Sequence, residues 1–236
     1  MIEIKNLTKS YDGKKKAVDD ISFTVKDGEI FAFIGHNGAG KTTTIKAIVG
    51  IHDFDSGDIL INGKSIKSDP ILCKKDMAYV SDNPELYENM TAINFINFVC
   101  DMYEIPLEVR KKNIEKYTKL FDMESHLGEE LSTFSHGMKQ KIVLIAALCH
   151  EPKILVLDEP FVGLDPKAVF DMKQIMKDMT KNGQTVFFST HILDVAEKLC
   201  DKVAIIKNGK IVKTGKMKDI KGDESLEEVF LELEGE

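Results

Sequence analysis

The stretch Gly35-His36-Asn37-Gly38-Ala39-Gly40-Lys41-Thr42 places its glycines, lysine and threonine at the spacing G-x-x-x-x-G-K-T. That spacing suits a cradle for nucleotide phosphates. Glycines let backbone amides approach phosphate oxygens with no Cβ in the way. Lys41 supplies a point charge for the β- and γ-phosphates, and the Thr42 hydroxyl can ligate Mg2+. Asn37, Gly38, Ala39 and Thr43 complete the candidate nucleotide contacts, so the ligands to expect are ATP and Mg2+. Farther along, Asp158 and Glu159 directly follow the apolar run Ile154-Leu155-Val156-Leu157. An acid there suits Mg2+, usually held through water, and its neighbour suits orienting or deprotonating an attacking water. His191 follows the apolar stretch QTVFFST. Position alone also allows it to be a helix-start or packing histidine. A second small-residue step, Ser135-His136-Gly137, stands before another helical pattern. Ser135 there fits an ordinary N-cap, but a glycine near a helix start costs about 1 kcal/mol relative to alanine. A helix N-terminus of small residues also suits an anion.

These groups need elements to hold them. IFAFIG, before the glycine-rich loop, is a short apolar run without alternation, as a strand buried on both faces of a parallel sheet requires. MAYVS, KILVLDEP and QTVFFST predict further buried strands. In a parallel sheet ligands bind beyond the carboxyl ends of the strands, so Asp158, Glu159 and His191 should share an edge with the loop. TTIKAIVG predicts a helix stopped by Gly50. The start of the chain alternates in strand fashion, and Asn62-Gly63 and Asn208-Gly209 signal hairpins. From about residue 84 to 150 the apolar residues fall at helical spacing: Ile93, Ile96, Val99 and Cys100, then Ile114, Tyr117, Leu120 and Phe121, then Met138, Ile142, Ile145 and Cys149. Residues 167–180, ILDVAEKL and the acidic ESLEEVFLEL predict helices. The pattern is α/β, with a helical insert between two strands.

Bulk properties narrow the partners. A formal net charge of −7 over 236 residues gives no strongly basic domain, so no nucleic-acid partner is expected. The longest apolar run, residues 142–149, is far short of the roughly 20 residues a membrane helix needs. Cys73, Cys100, Cys149 and Cys200 form no C-x-x-C pair and are expected to be buried free thiols. Arg110 is the only arginine in the sequence. A chain so poor in arginine must offset phosphate charge with Lys41, Mg2+ and oriented backbone amides.

GHNGAGKT, ILVLDEP, GLDP at 163–166 and His191 occur in the order and spacing of the nucleotide-binding subunit of ATP-binding-cassette (ABC) transporters, which the chain resembles over essentially its whole length. The resemblance implies a P-loop NTPase core with a mostly parallel sheet, an N-terminal antiparallel β subdomain and an inserted α-helical signature subdomain. It implies one ABC ATPase domain over 1–236: 1–83 for the β subdomain and the phosphate-loop part of the core, 84–150 for the helical subdomain, 151–215 for the rest of the core and 216–236 for a short helical tail. FSHGM occupies the place of the family signature, usually Leu-Ser-Gly-Gly-Gln. His136 replaces its first glycine and Met138 its glutamine, while Ser135 and Gly137 remain. By resemblance, Ser135 and Gly137 face ATP bound to a second ABC ATPase chain, in a homodimer or a heterodimer. Tyr11 would stack on adenine, Asp165 would sit at the subunit contact, and His191 would touch the γ-phosphate. The family usually has a glutamine after the strand MAYVS; here the sequence is Ser81-Asp82-Asn83, with Asp82 the matching Mg2+ ligand.

The implied function is ATP hydrolysis powering transport through a separate transmembrane permease subunit, with export favoured over import. The chain would then be cytoplasmic, peripheral on the cytoplasmic face of the membrane. A soluble cassette ATPase acting on ribosomes or DNA is the alternative; its usual second cassette, long coiled coil or zinc motifs are not visible here. A phosphate-loop kinase leaves GLDP and the signature unexplained.

Overall fold

The computed structural model describes residues 1–236 except Asp12, Lys14, Glu85, Glu236 and the side chain of Glu234. The chain begins β1 (Ile2–Ser10), β2 (Lys16–Val25), β3 (Ile30–Ile34), α1 (Lys41–Ile48), β4 (Ser56–Ile61), β5 (Lys64–Ser65), α2 (Pro70–Lys75) and β6 (Met77–Val80). The helical insert is α3 (Ala92–Met102), α4 (Leu107–Leu120) and α5 (His136–Cys149). Then come β7 (Ile154–Asp158), α6 (Pro166–Lys181), β8 (Thr185–Thr190), α7 (Leu193–Leu199), β9 (Lys202–Lys207), β10 (Lys210–Lys216), α8 (Met217–Lys221) and α9 (Leu226–Gly235).

Two sheets result. One is antiparallel, ordered β2-β1-β4-β5; the other is ordered β10-β9-β3-β8-β7-β6 and is parallel except for β10. Strand β3 is central and buried at every position, as its unbroken apolar run requires. Alternate residues feed two cores. Phe31 and Phe33 join the antiparallel sheet and α1 on one face, while Ile30, Ala32 and Ile34 meet the helices of the insert and the C-terminal half on the other. Phe23, Phe31, Phe33 and Phe187 stack at 5.4–5.8 Å between the two sheets. Burial of each ring contributes about 2–3 kcal/mol, so the central strand is firmly fixed. Both predicted hairpins form, with Asn62 and Asn208 at φ +50° and their glycines at +80°, the geometry of a tight two-residue turn.

The sequence pattern misses α2 and α8. Both are one-turn elements too short to show a helical period, and in α2 the apolar Ile71 and Leu72 lie exposed while only Cys73 is buried. The tail is consequently two helices. All four cysteines are buried free thiols, as expected. Arg110 is used structurally: it donates to Asp101 at 2.6 Å and to the carbonyl of Ile105 at 3.2 Å, tying α4 to the end of α3.

Where α5 ends, His150 lies flat on Tyr103, with centroids 3.8 Å apart and planes 5° apart, and its Nε2 has no hydrogen-bond partner among the described residues. Burial pushes its pKa down from 6.5 to about 4. A folded-state pKa below the unfolded one means stability present above pH 6.5 and lost progressively as pH falls towards 4, by about 3 kcal/mol in all. His150→Phe should therefore flatten the decline in melting temperature between pH 7 and pH 4.5 by roughly 5–10 °C for a chain of this size. An unchanged acid slope in that variant would assign the decline to other groups.

Candidate functional site

The carboxyl ends of β3, β6, β7 and β8 open on one edge of the parallel sheet, and the loop after β3 leads straight into α1. Gly40 stands at φ +113°, and a Cβ there would lie 2.5 Å from the carbonyl of Ala17; a Cβ at Gly35 would lie 2.5 Å from the carbonyl of Ile206. Only glycine fits either place. On the open side of the loop, a Cβ at Gly38 would meet nothing within 4 Å among the described residues. Unlike α3, α5 and α6, helix α1 has no side-chain cap, so its first amides remain for an anion. Lys41 is buried, and its Nζ donates to the carbonyls of Gly35 at 2.6 Å and His36 at 3.2 Å. The ammonium that would meet phosphates thus also holds the loop that cradles them.

Glu159 meets the same ammonium: Oε1 lies 3.3 Å from Lys41 Nζ, an ion-pair contact without a well-aligned hydrogen bond. Its Oε2 lies 3.0 Å from His191 Nδ1 and accepts from the His191 backbone N–H at 3.3 Å. Glu159 sits at φ +48°, a left-handed conformation that costs a non-glycine residue about 1 kcal/mol and here turns the carboxylate towards Lys41 and His191. Ser189 supports both acids. Its hydroxyl donates to Asp158 Oδ1 and accepts the Glu159 backbone N–H at 3.1 Å. Sequence reasoning passed over Ser189. The signal was present, since a polar residue ends an otherwise apolar strand, but its use depends on the register that pairs Asp158 with Ser189.

Asp158 is completely buried, and its Oδ2 has no hydrogen-bond partner among the described residues. Burial raises its pKa, an effect opposed by the Ser189 and Thr42 hydroxyls and reinforced by the charges of Asp82 and Glu159. An unpartnered buried carboxylate oxygen beside a threonine hydroxyl fits a hard divalent cation, which would remove the cost of that buried charge. Asp82 is exposed and its Oδ1 accepts the Asn83 N–H at 2.9 Å; its influence on Asp158 places it within electrostatic reach. Buried Gln140, another residue the sequence reading did not single out, donates to the Ser81 carbonyl at 3.4 Å and so ties α5 to this loop.

Tyr11 lies just beyond β1, 62% exposed, with its hydroxyl 3.2 Å from Thr43 Oγ1. Its ring therefore stands beside the phosphate loop and is not a strand-core residue. Ser135 is the N-cap of α5, its Oγ accepting from Met138 N at 3.3 Å, and Asp165 is the N-cap of α6, accepting from Ala168 N at 2.9 Å. Asp165 also pairs with Lys141 of α5 at 2.6 Å, which holds its carboxyl below the usual range. Gly137 has a local reason to be glycine: a Cβ would lie 2.6 Å from the carbonyl of Gly163. The His136 ring in turn lies over Gly163, where a Cβ would meet its Cδ2 at 2.7 Å. The start of α5 and the Gly163–Asp165 loop are fitted to each other. No helix among the described residues is long and apolar enough to cross a membrane.

Loop, paired acids and histidine at the edge of this sheet define a nucleoside triphosphatase. The family model described as ABC transporter matches residues 18–162, and the chain belongs to that family. It is similar to the ABC-type transporter ATP-binding protein EcsA of Bacillus subtilis, 35% identical over 99% of this chain and 96% of the relative. It is also similar to the linearmycin resistance ATP-binding protein LnrL of Bacillus subtilis, 35% identical over 93% of this chain and 70% of that one. A solved ATP-binding subunit of an ABC transporter superposes with a TM-score of 0.95 at 34% identity, covering 99% of each chain. The chain is thus an ATP-binding subunit of a transporter, and an ATPase.

Proposed function

We propose that this chain pairs head to tail with a second ABC ATPase chain, a copy of itself or a related one, and powers export through a separate transmembrane permease. The observation that carries the hydrolytic part is the Glu159 carboxylate set between Lys41 and His191. Glu159 orients the attacking water and takes its proton, Lys41 meets the β- and γ-phosphates, and His191 contacts the γ-phosphate while holding Glu159. Thr42 and Asp158, with Asp82 at longer reach, are the residues that would hold Mg2+, which neutralises phosphate charge when bound. Asn37 to Gly40 and Thr43 bind the phosphates through the loop and the first turn of α1. Tyr11 stacks on adenine, for which its exposure suits it; such a contact is worth about 1–3 kcal/mol.

The partner chain's nucleotide is met by Ser135 and Gly137, with Asp165 at the chain contact; the exposure of Ser135 leaves that turn accessible. Residues 1–83, 84–150, 151–215 and 216–236 serve as β subdomain with phosphate loop, helical subdomain, remaining core and tail. On the helical subdomain Tyr87 and Phe98, 5.6 Å apart edge to face, and the exposed Met102 and Leu107 offer an apolar surface for a cytosolic segment of the permease. That assembly puts the chain on the cytoplasmic face of the membrane. Export is favoured by likeness to a relative named for linearmycin resistance.

The test is to tag the chain in its native cell, solubilise membranes gently and identify co-purifying proteins by mass spectrometry. A stoichiometric multi-span membrane protein is expected. Recovery only in the soluble fraction, alone or with ribosomes or DNA, would contradict the transport reading and favour a non-transport cassette.

A further inference from the structure

Among the described residues, the phosphate loop makes an aromatic contact that neither the motif nor the hydrolytic machinery uses. His36 occupies a free position of the motif, yet its ring meets Phe230 of α9 edge to face, with centroids 4.9 Å apart and planes at 67°. We propose that Phe230 is a positioning residue for the phosphate loop, acting through His36.

The backbone of His36 explains why its placement matters. Its carbonyl accepts the Ala39 N–H at 3.1 Å and the Lys41 ammonium at 3.2 Å, so this one carbonyl ties both the turn and the catalytic lysine. A loop with glycines at 35, 38 and 40 gains its preorganisation from contacts: within it from Lys41 and the Ala39 N–H, and from outside it from the Gly209 N–H on the Ala39 carbonyl and from Phe230 on His36. Phe230 is a fixed wall. It is 7% exposed and lies in the main core with Leu226 and Val229.

Helix α9 is anchored at both ends. At its start the Leu226 N–H donates to Glu197 of α7 at 2.9 Å, and the same glutamate pairs with Lys221 at 2.6 Å. Near its end Lys207, which closes β9, donates to the Leu233 carbonyl at 2.8 Å. Strand β9 lies beside β3, from which the loop departs, and α7 begins two residues after His191. Helix α9 therefore touches the scaffold on both sides of the phosphate site. Losing the ring contact should loosen the free loop and weaken nucleotide binding, while the bound loop, held by phosphates, keeps its chemistry.

This inference rests on the loop being the nucleotide site. The experiment measures the Kd of a non-hydrolysable ATP analogue for the parent chain, Phe230→Leu, His36→Ala and the double variant, together with turnover at saturating ATP. An aromatic contact of this kind sets an expectation of about three- to tenfold weaker binding in each single variant. The double variant should bind no worse than the weaker single one, and saturated turnover should stay within about twofold. Unchanged Kd in Phe230→Leu, or effects that multiply in the double variant, would overturn the coupling. Should Phe230→Leu fail to fold, exposed His36 still carries the test: His36→Phe should hold the parent Kd and His36→Ala should not, and equal Kd values in both would refute it. A Lys41→Ala control that still bound the analogue would instead refute the loop as the nucleotide site.

Discussion

Glu159→Gln should retain ATP and lose turnover by about a hundredfold or more, the scale on which a positioned general base contributes. Glutamine keeps the size of the side chain and its hydrogen-bonding reach to His191, so the site should keep its shape. It cannot take a proton from water. It also removes the negative charge that Lys41 faces at 3.3 Å, so that carboxylate no longer competes with the phosphates for the ammonium and affinity should hold or increase. Steady-state phosphate release together with an equilibrium binding titration separates these effects. Hydrolysis at the parent rate would remove Glu159 from the role assigned to it.

Lys41→Ala should act on binding. Charge-assisted hydrogen bonds to phosphate oxygens contribute about 1.5–3 kcal/mol each, and more than one is lost. The fold adds a second loss, because Lys41 also spans the carbonyls of Gly35 and His36 and offsets the buried side of Glu159. Truncation removes the Lys41 donor from the Gly35 carbonyl, leaves the His36 carbonyl with the Ala39 N–H, and leaves Glu159 without that ammonium. We expect ATP affinity to fall by at least about a hundredfold in titration calorimetry, with the fold intact by circular dichroism. Unchanged affinity would contradict the central role of the loop.

The site was legible where chemistry demands fixed spacing along one segment. Gly35 to Thr43 lie between a strand and a helix, and Asp158 and Glu159 follow an apolar strand, so their meeting could be argued from parallel-sheet geometry before any coordinates. His191 came within reach for the same reason. What could not be read depends on pairings across the chain. Ser189 serves both acids only because β7 and β8 pair in a particular register. Gly137 has, beside the role that the resemblance implies, a local necessity that no spacing shows: the approach of the Gly163 carbonyl. The packing of His36 could not be read from the sequence, because Phe230, far along the chain, is brought to it by α9. Short helices such as α2 and α8 escape for a simpler reason: one turn has no period to detect.

In the proposed assembly ATP is held between two chains, each supplying its phosphate loop to one nucleotide and the start of its α5 to the other. The most direct measurement is the sedimentation of Glu159→Gln without nucleotide and then with saturating ATP and Mg2+. A pair, the chain with itself or with its related ATPase partner, should appear only with nucleotide, and Ser135→Glu should prevent it by setting a carboxylate against phosphate. A chain that binds ATP fully and stays monomeric under all these conditions, partner present, would contradict the account.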